Sequence, residues 1–344
     1  MDGALNIDQS CDGLTGEPQH IVSVSGGKDS ASCYLLAIMR GRPFRAVTAD
    51  TGHENEITYE WISKLSARTG GPEVEIVKAD FTARIAHKRQ LVQTKWVSDG
   101  MPDEIIQAAL DILHPTGIPF LDLCIWKGRF PSIKGQFCTE HLKAEPIFEQ
   151  VFVPAMASQG NVISWQGERR QGERRGESQN RSQLPRHQRV RYADIGSLHI
   201  WRPILHWSAE NTFALHDHFG LEPNPLYRMG MGRVGCFPCI NARKGELSAI
   251  FARFPEVLEK IRHFELLVSK ASKRGQATFF AASTTPQGKR LAEDHKRGLR
   301  LDEALPGIDD IEAWSRTTRG GRQFDGFKLM DGNQLCSSQY GLCE

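Results

Sequence analysis

Residues 23–30 read Ser23-Val24-Ser25-Gly26-Gly27-Lys28-Asp29-Ser30, and they follow an apolar run that begins at His20. The pattern predicts a strand, a tight turn and then the first turn of a helix. Two adjacent glycines let backbone N–H groups point at one anion, and the helix N-terminus adds partial positive charge. The spacing is neither that of the Walker motif nor that of the dinucleotide-binding G-x-G-x-x-G turn. The alternative is an ordinary capped turn, but we interpret the full string as a phosphate-binding loop.

Outward from this loop, short β-branched runs alternate with amphipathic stretches. Five runs predict strands: His20–Ser25, Phe44–Asp50, Val74–Asp80, Asn161–Gln166 and His199–Leu205. The stretches between them have helical periodicity, which implies right-handed βαβ crossovers. We therefore predict an α/β fold with a doubly wound, mostly parallel five-stranded sheet. The distance from Asp80 to Asn161 is too long for one crossover and predicts a helical insertion around residues 90–118.

The chain divides into three predicted regions. Residues 1–18 are polar and glycine-rich, and we interpret them as a flexible leader. Residues 19–243 are predicted to form the nucleotide-binding α/β domain. Residues 244–344 are predicted to form a helical extension that ends in a cysteine-containing tail. We expect this extension to pack on the sheet domain and not to build a second core.

The bulk composition excludes several classes of protein. The 344 residues include 43 Lys plus Arg against 41 Asp plus Glu, so net charge alone does not indicate a nucleic-acid-binding protein. Eight cysteines are too sparse for a secreted disulfide scaffold, and close pairs among them favour a metal or redox site. No apolar stretch is long enough for a membrane span and no secretory signal is visible, so we expect a cytoplasmic protein.

The loop and three further segments resemble the phosphoadenosine phosphosulfate (PAPS) reductase family of the adenine-nucleotide α-hydrolase-like, or PP-loop, superfamily. Residues 25–30 are similar to its pyrophosphate loop, and residues 50–52 to its D-T-G segment. Residues 138–146 are similar to its C-x-x-x-x-K-x-x-P segment, and residues 172–181 to its G-x-R-x-x-E-S-x-x-R segment. The resemblance covers most of residues 19–243 and implies a PP-loop fold with an adenine-nucleotide site. The residues expected to bind the nucleotide are Ser23, Ser25, Gly26, Gly27, Lys28, Asp29, Ser30, Asp50, Thr51, Gly52, Arg174 and Arg181.

The cysteines suggest a metal centre. Cys236-Phe237-Pro238-Cys239 is a C-x-x-C knuckle whose two thiolates can chelate one metal, and Cys138 can add a third. In iron–sulfur members of the family, a Cys-Cys pair and a later C-x-x-C surround a [4Fe–4S] cluster. Here Phe137 occupies the first position of that pair. Either three cysteines hold the cluster and leave one iron open, as the resemblance to tRNA-thiolating enzymes implies, or Cys343 or Cys336 in the tail supplies the fourth ligand. A zinc site built from four cysteines and a set of buried, inert thiols are the alternatives.

An arginine-rich segment follows the fourth predicted strand and contains Gln-Gly-Glu-Arg-Arg twice, at residues 166–170 and 171–175. Arginine forks bind phosphate oxygens in pairs, so arginines beside the loop are typical of a phosphate site. Both Arg169 and Arg174 are suitably placed, and Arg174 keeps register with Glu177-Ser178. We therefore predict Arg174 and Arg181 as site residues; the alternative is a solvated charged loop.

Three functions are compatible with these motifs. The resemblance favours an enzyme that splits ATP into AMP and pyrophosphate, with Mg²⁺, for sulfur transfer to a nucleic acid or nucleotide, in which the iron–sulfur cluster handles the sulfur. Lys28, Asp29 and Arg174 are its candidate catalytic residues, acting by charge stabilisation. One alternative is a PAPS or adenylylsulfate reductase that releases sulfite after attack by a tail cysteine such as Cys343. The other is an iron–sulfur or zinc protein that binds nucleic acid.

Each function implies partners. The expected ones are an adenine nucleotide, ATP or PAPS, and a nucleic-acid substrate. A protein that donates sulfur or electrons and a second copy of the chain are further candidates.

Overall fold

A six-stranded sheet forms the centre of the protein, in the spatial order β3-β2-β1-β4-β6-β5. The computed structural model describes residues 17–170, 184–192, 194–296 and 305–318. The strands are β1 (Gln19–Ser23), β2 (Phe44–Asp50), β3 (Val74–Lys78), β4 (Asn161–Trp165), β5 (His187–Tyr192) and β6 (Gly196–Trp201). The order places β1 in the interior of the sheet, between β2 and β4.

The sheet contains one strand more than the sequence predicts. Strands β1, β2, β3, β4 and β6 run parallel, as expected for βαβ crossovers. The additional strand, β5, pairs antiparallel with β6 at the sheet edge. Its sequence, His-Gln-Arg-Val-Arg-Tyr, is mostly polar. Sequence analysis missed this strand because it lies at the edge of the sheet and lacks the apolar residues of an interior strand. Strand β6 also begins and ends earlier than predicted, and it ends before Pro203, which cannot donate to a sheet ladder.

Helices cover both faces of the sheet and extend beyond it. They are α1 (Lys28–Met39), α2 (Glu56–Ser63), α3 (Leu65–Thr69), α4 (Thr82–Leu91, continued by a π turn at Val92–Trp96), α5 (Asp103–Ile112), α6 (Pro119–Lys127), α8 (Ala209–His218), α9 (Lys244–Arg253), α10 (Glu256–Lys270), α11 (Pro286–Lys296) and α12 (Ile308–Ser315). Residues 137–159 form one continuous helix, α7. In it α-helical pieces (Phe137–Thr139, Glu145–Ile147, Val153–Gln159) alternate with π-helical ones (Glu140–Ala144, Phe148–Phe152). Short 3₁₀ turns lie at Pro225–Tyr227 and Ala282–Thr284.

Three apolar clusters hold these elements together. One face of the sheet packs its Val22, Ile163 and Trp201 against α1 and α2. The other face packs residues such as Ile21 and Val162 against α7. The third cluster joins the helical insertion to the C-terminal helices and contains residues from Phe81 to Ile311. None of the helices described combines the length and the apolar composition needed to cross a bilayer.

Candidate active site

A cavity of about 1230 Å³ opens at the carboxyl ends of the parallel strands. In doubly wound sheets this is the edge at which ligands bind. Four segments separated in sequence contribute polar residues to its wall, which also includes polar residues of α2 and α3. The four segments are the loop after β1 (Ser23, Ser25, Ser30), the loop after β2 (Asp50, Glu54), the start of α7 (Thr139, Lys143) and the loop after β4 (Gln166, Gly167, Glu168). Gly235, the residue before the C-x-x-C knuckle, also lines it.

The loop after β1 is stabilised by its own hydroxyl groups. Gly26 has a left-handed backbone (φ 76°), and Gly27 is the N-cap of α1. The Ser25 N–H donates to Ser30 Oγ at 3.0 Å, and the two serine hydroxyls lie 3.1 Å apart. Ser30 Oγ in turn donates to the Gly27 carbonyl. The two serine side chains are thereby held on the cavity wall, next to the positive end of α1.

Lys28 packs its side chain against Tyr227. Its side chain is buried and lies over the ring of Tyr227, with Nζ 5.3 Å from the ring centroid. Its backbone N–H donates to the Tyr227 hydroxyl at 2.9 Å. Lys28 is absent from the residues that line the cavity, as are Gly26, Gly27 and Asp29. Among the described residues, therefore, the loop presents serines to the cavity and keeps its lysine behind them.

Asp29 connects this loop to the arginine segment. Its Oδ1 accepts a hydrogen bond from Arg169 Nε at 2.8 Å, and Arg169 is only 4% exposed. A Cβ at Gly167 would lie 2.7 Å from the Asp29 backbone, so only glycine permits this approach. The first Gln-Gly-Glu-Arg-Arg copy thus packs on the N-terminus of α1. The predicted site residues Arg174 and Arg181 lie outside the described residues.

The D-T-G loop carries a network of carboxylates and hydroxyls. Asp50 Oδ1 accepts hydrogen bonds from the Gly52 N–H (2.8 Å) and the Tyr59 hydroxyl (2.7 Å), and Lys78 Nζ lies 2.6 Å from Oδ2. Burial alone would raise the pKa of Asp50, but these donors outweigh burial and lower it. The buried Thr51 donates its hydroxyl to Glu54 at 2.8 Å. Asp50 and Glu54 are thus ordered carboxylates on the cavity wall, while Thr51 supports them from behind.

The C-x-x-C knuckle is fixed directly onto the loop after β2. The Phe237 N–H donates to the His53 carbonyl at 2.6 Å, and His53 Nε2 lies 3.0 Å from the Pro238 carbonyl oxygen. Glu54 and Cys236 form an antiparallel bridge, with the Cys236 sulfur 3.9 Å from Glu54 Oε1. These contacts bring two segments together that are more than 180 residues apart in the chain. The knuckle therefore lies at the side of the nucleotide-sized cavity.

Cys138 lies close enough to Cys236 and Cys239 for their charges to interact, as the sequence predicts. Lys143, one turn after Cys138, lies among them. The charge of Cys236, together with smaller contributions from Glu54 and the other two cysteines, raises the pKa of Lys143 to about 12. Burial raises the pKa of Cys236 to about 11, although Lys143 opposes that shift. At neutral pH, Lys143 is therefore a charged ammonium group beside the Cys236 sulfur.

These thiols do not form a metal site as they stand. Among the residues that the structure describes, no group of three His, Cys, Asp or Glu side chains is arranged to hold a metal ion. The predicted fourth ligand, Cys343, and its alternative Cys336 lie outside that part of the chain. The described residues alone thus do not fit an iron–sulfur cluster or a four-cysteine zinc site.

Several residues of the site escaped sequence analysis. Tyr227 and Tyr59 hold the two loops, but each is a single aromatic residue without a motif of its own. Lys143 was visible only as the lysine of the C-x-x-x-x-K segment, with no indication that it would lie among three cysteines. Glu54 follows the D-T-G segment by two positions, and its nearness to that segment was the only signal for it.

The sequence profile of the phosphoadenosine phosphosulfate reductase domain matches residues 19–108 and 131–242. These two ranges contain every segment that lines the polar wall of the cavity. The chain belongs to the PAPS reductase domain family. As a member of this family it is a nucleotide-binding enzyme of the PP-loop type, with the α/β fold that the sequence predicts.

Two relatives of this PAPS reductase-domain protein are themselves without a described activity. An uncharacterized 37.8 kDa protein of Escherichia phage 186 is 44% identical over 335 residues, which is 94% of this chain and 96% of that protein. Uncharacterized protein MJ0066 of Methanocaldococcus jannaschii is 26% identical over 70% of this chain and 40% of that protein. The phosphoadenylyl-sulfate reductase of Candida auris, solved as a phosphate complex, aligns with a TM-score of 0.38 and 16% identity. That alignment covers 65% of this chain and 83% of the other.

Proposed function

We propose that this protein splits ATP into AMP and pyrophosphate in the cavity at the sheet edge, and that it uses the reaction to replace an acceptor oxygen by sulfur. The observation that carries the proposal is the meeting of four segments at one cavity. The phosphate-binding loop, the D-T-G loop, the cysteine segment and the arginine segment all contribute to its wall. Nucleotide chemistry and sulfur chemistry would then share one site.

The phosphate groups would bind at the loop after β1. Ser25 and Ser30 offer hydroxyl groups beside the positive end of α1, which favours anions. Lys143, which also lines the cavity, adds a full positive charge. Mg²⁺ would accompany the nucleotide, held mainly by phosphate oxygens, with Asp50 and Glu54 as candidate carboxylates on the wall. The role of Asp29 and Arg169 would be to hold the loop in place.

The proposed reaction has two balanced steps. An acceptor hydroxyl attacks the α-phosphorus of ATP, the bond to the α–β bridging oxygen breaks, and pyrophosphate leaves with that electron pair while the hydroxyl proton passes to solvent. A hydrosulfide-level sulfur donor then attacks the adenylylated acceptor, and AMP leaves with the original acceptor oxygen. No electrons are gained or lost overall. Positive charge from Lys143 and the helix terminus would stabilise the negative charge that develops in the first step.

The iron–sulfur cluster expected from the sequence is not part of this reaction scheme. Its three described candidate ligands lie near one another but are not arranged around a metal, and the fourth lies outside the described residues. The cluster stays a prediction, as does its zinc alternative. Iron and zinc analysis of protein purified without oxygen tests both, with Cys236→Ser as the variant that should lose the metal and Cys33→Ser as the control.

The decisive experiment measures pyrophosphate release from ATP. Asp29→Asn keeps a hydrogen-bond acceptor for Arg169 but removes the charge that pairs with it. We expect pyrophosphate release to fall by about 100-fold, because a loop displaced by about 1 Å no longer holds the phosphates in the reacting geometry. Glu104→Gln, on the exposed start of α5, removes the same charge away from the cavity and should retain full activity. Wild-type protein that releases no pyrophosphate with any acceptor would contradict the proposal.

PAPS reduction is the second candidate function, because the family profile is that of the PAPS reductase domain. It would require a cysteine thiolate that attacks the sulfur of PAPS and a thiol-containing reductant that then releases sulfite. Cys343 is the candidate nucleophile from the sequence and lies outside the described residues. Thiol-dependent sulfite formation from PAPS that disappears in Cys343→Ser would establish this function in place of the first.

A further inference from the structure

A group of cations and aromatic rings lies beside the cysteine segment, outside the nucleotide cavity. We call it the cation–aromatic surface, and it consists of Arg84, Trp126, Lys127, Arg129 and Phe137, together with the exposed Lys134 three residues before Phe137 in the chain. The residues come from α4, from the end of α6 and the loop after it, and from the first residue of α7. Nothing in the proposed ATP chemistry uses them.

The cations in this surface are stacked on the rings. The Arg84 guanidinium lies 4.7 Å from the centroid of the Trp126 indole, and Lys127 Nζ lies 3.9 Å from it. The ring of Phe137 has Arg129 at 5.4 Å and Lys127 at 5.7 Å. Both residues are partly exposed. Phe81 and His141 also pack on the Trp126 ring, with ring centroids 5.9 and 5.3 Å away, and anchor it in the protein. Aromatic rings combined with arginine planes form the platforms on which unpaired bases stack.

Positive charge is concentrated here. Burial lowers the pKa of Lys127, and the charges of Arg84 and Arg129 lower it further, while the carboxylates of Glu140 and Glu145 act in the opposite direction. Arg129 and Lys134 are exposed, and neither forms an ion pair with a carboxylate in the described part of the chain. The nearby Glu145 is occupied by His141 and Arg84. A polyanion would relieve the mutual repulsion of these cations.

The surface is continuous with the proposed site of sulfur chemistry. Phe137 is the residue directly before Cys138, and both belong to α7. Thr139, Lys143 and Glu145 of the same helix line the nucleotide cavity. A molecule bound on the cation–aromatic surface would therefore lie next to both the cysteines and the opening of the cavity.

We propose that this surface binds single-stranded nucleic acid and thereby presents the acceptor for the reaction. The inference rests on the proposed function and names its substrate class. Trp126 and Phe137 would stack with bases, while Lys127, Arg129 and Lys134 would contact the phosphates. A duplex keeps its base faces covered and would not use the rings, and an acidic protein would need only the charges.

Fluorescence anisotropy of a labelled 20-nucleotide single strand, recorded without ATP, tests this inference. The triple variant Lys127→Ala, Arg129→Ala, Lys134→Ala should weaken binding by at least about 10-fold at low salt. The slope of the logarithm of the association constant against the logarithm of the salt concentration should also become less negative by about 2. Each phosphate contact to a single strand contributes about −0.7 to that slope, and the variant loses three contacts. The matched control Arg68→Ala, Arg253→Ala, Lys270→Ala removes three exposed cations from other helices and should bind as the wild type does.

A second variant separates stacking from charge. Trp126→Leu retains all the cations and should weaken single-strand binding by about 5-fold to 100-fold, with the salt slope unchanged. The inference is overturned if wild-type protein does not bind the strand, if the control triple variant loses affinity equally, or if duplex DNA binds as tightly. It is also overturned if polyglutamate competes as well as an unlabelled strand, because the partner would then be an acidic protein. Because the assay contains no ATP, its failure would leave pyrophosphate release, and hence the proposed function, untouched.

Discussion

At the scale of single residues, the site depends on side chains that connect segments far apart in the chain. Asp29 reaches Arg169 across 140 positions, and Lys28 reaches Tyr227 across 199. Both partners fix the backbone of the phosphate-binding loop without lining the cavity. The residues that line the cavity and those that fix the backbone of the loop are therefore largely different sets.

His53 shows how one buried residue makes stability depend on pH. Its ring stacks on Phe120 at 4.2 Å, packs near Phe264 and Phe279, and is fully buried. This burial, with a smaller contribution from the charge of Lys260, lowers the pKa of His53 from 6.5 to about 3. The folded protein therefore favours the neutral imidazole. The resulting stability is complete above pH 6.5 and is lost as the pH falls towards 3.

We predict that His53→Phe weakens this acid sensitivity. A phenyl ring keeps the stacking with Phe120 but cannot take up a proton. Between pH 7 and pH 5, the free energy of unfolding of the wild type should fall by about 2 kcal/mol more than that of the variant. Urea unfolding at the two pH values measures the difference. Equal pH dependence of the two proteins would show that His53 titrates normally.

At the scale of elements, the turn between β1 and α1 leaves no room for a side chain at Gly26. Gly26 adopts φ 76°, and a Cβ there would lie 2.6 Å from Cγ2 of Thr58, which is fully buried in α2. The turn is thus constrained both by its backbone conformation and by the helix packed behind it. Any side chain at this position must distort the loop that presents Ser25 and Ser30.

Gly26→Ala should therefore be more harmful than an alanine at another left-handed glycine. Gly41 has φ 63°, and a Cβ there would have no atom within 4 Å, so Gly41→Ala carries only the backbone strain of about 1–2 kcal/mol. We expect Gly26→Ala to cost about 1–3 kcal/mol more, from overpacking. Thermal unfolding of both variants measures this. Adding Thr58→Ser, which removes the clashing methyl group, should recover most of the extra loss; no recovery would contradict the steric explanation.

Local pattern sufficed for some elements and failed for others. Strand β2 has the predicted bounds, Phe44–Asp50, because its apolar residues lie between a proline and a glycine turn. The edge strand β5 was missed because pairing with β6, and not its own composition, makes it a strand. Likewise, the sequence did not show that the side chain of Lys28 packs on Tyr227, because the two residues are 199 positions apart in the chain. Motifs predicted which segments meet, while tertiary contacts decided which side chains face the cavity.

At the scale of the whole molecule, the C-terminal helices pack against the loop that carries Asp50 and Glu54. Phe264 of α10 lies beside His53 and Phe120, and Lys260 of the same helix approaches the Gly52 carbonyl at 3.5 Å. The apolar cluster around them contains residues of the insertion and of the C-terminal region together. This loop is therefore stabilised by contacts with residues more than 200 positions later in the chain.

This shared core predicts one cooperative unfolding transition that includes the nucleotide site. Phe264→Ala should lower the free energy of unfolding by about 3–5 kcal/mol, because Phe264 is only 2% exposed and leaves a cavity between α10 and the D-T-G loop. Leu266→Ala, on the same helix but 54% exposed, should change it by less than about 0.5 kcal/mol. Urea unfolding is followed by far-ultraviolet circular dichroism and by tryptophan fluorescence. For each of the three proteins, the curves from the two probes should coincide. Two separate transitions, with Phe264→Ala shifting only one of them, would mean that the C-terminal helices fold independently of the sheet and cannot support the site.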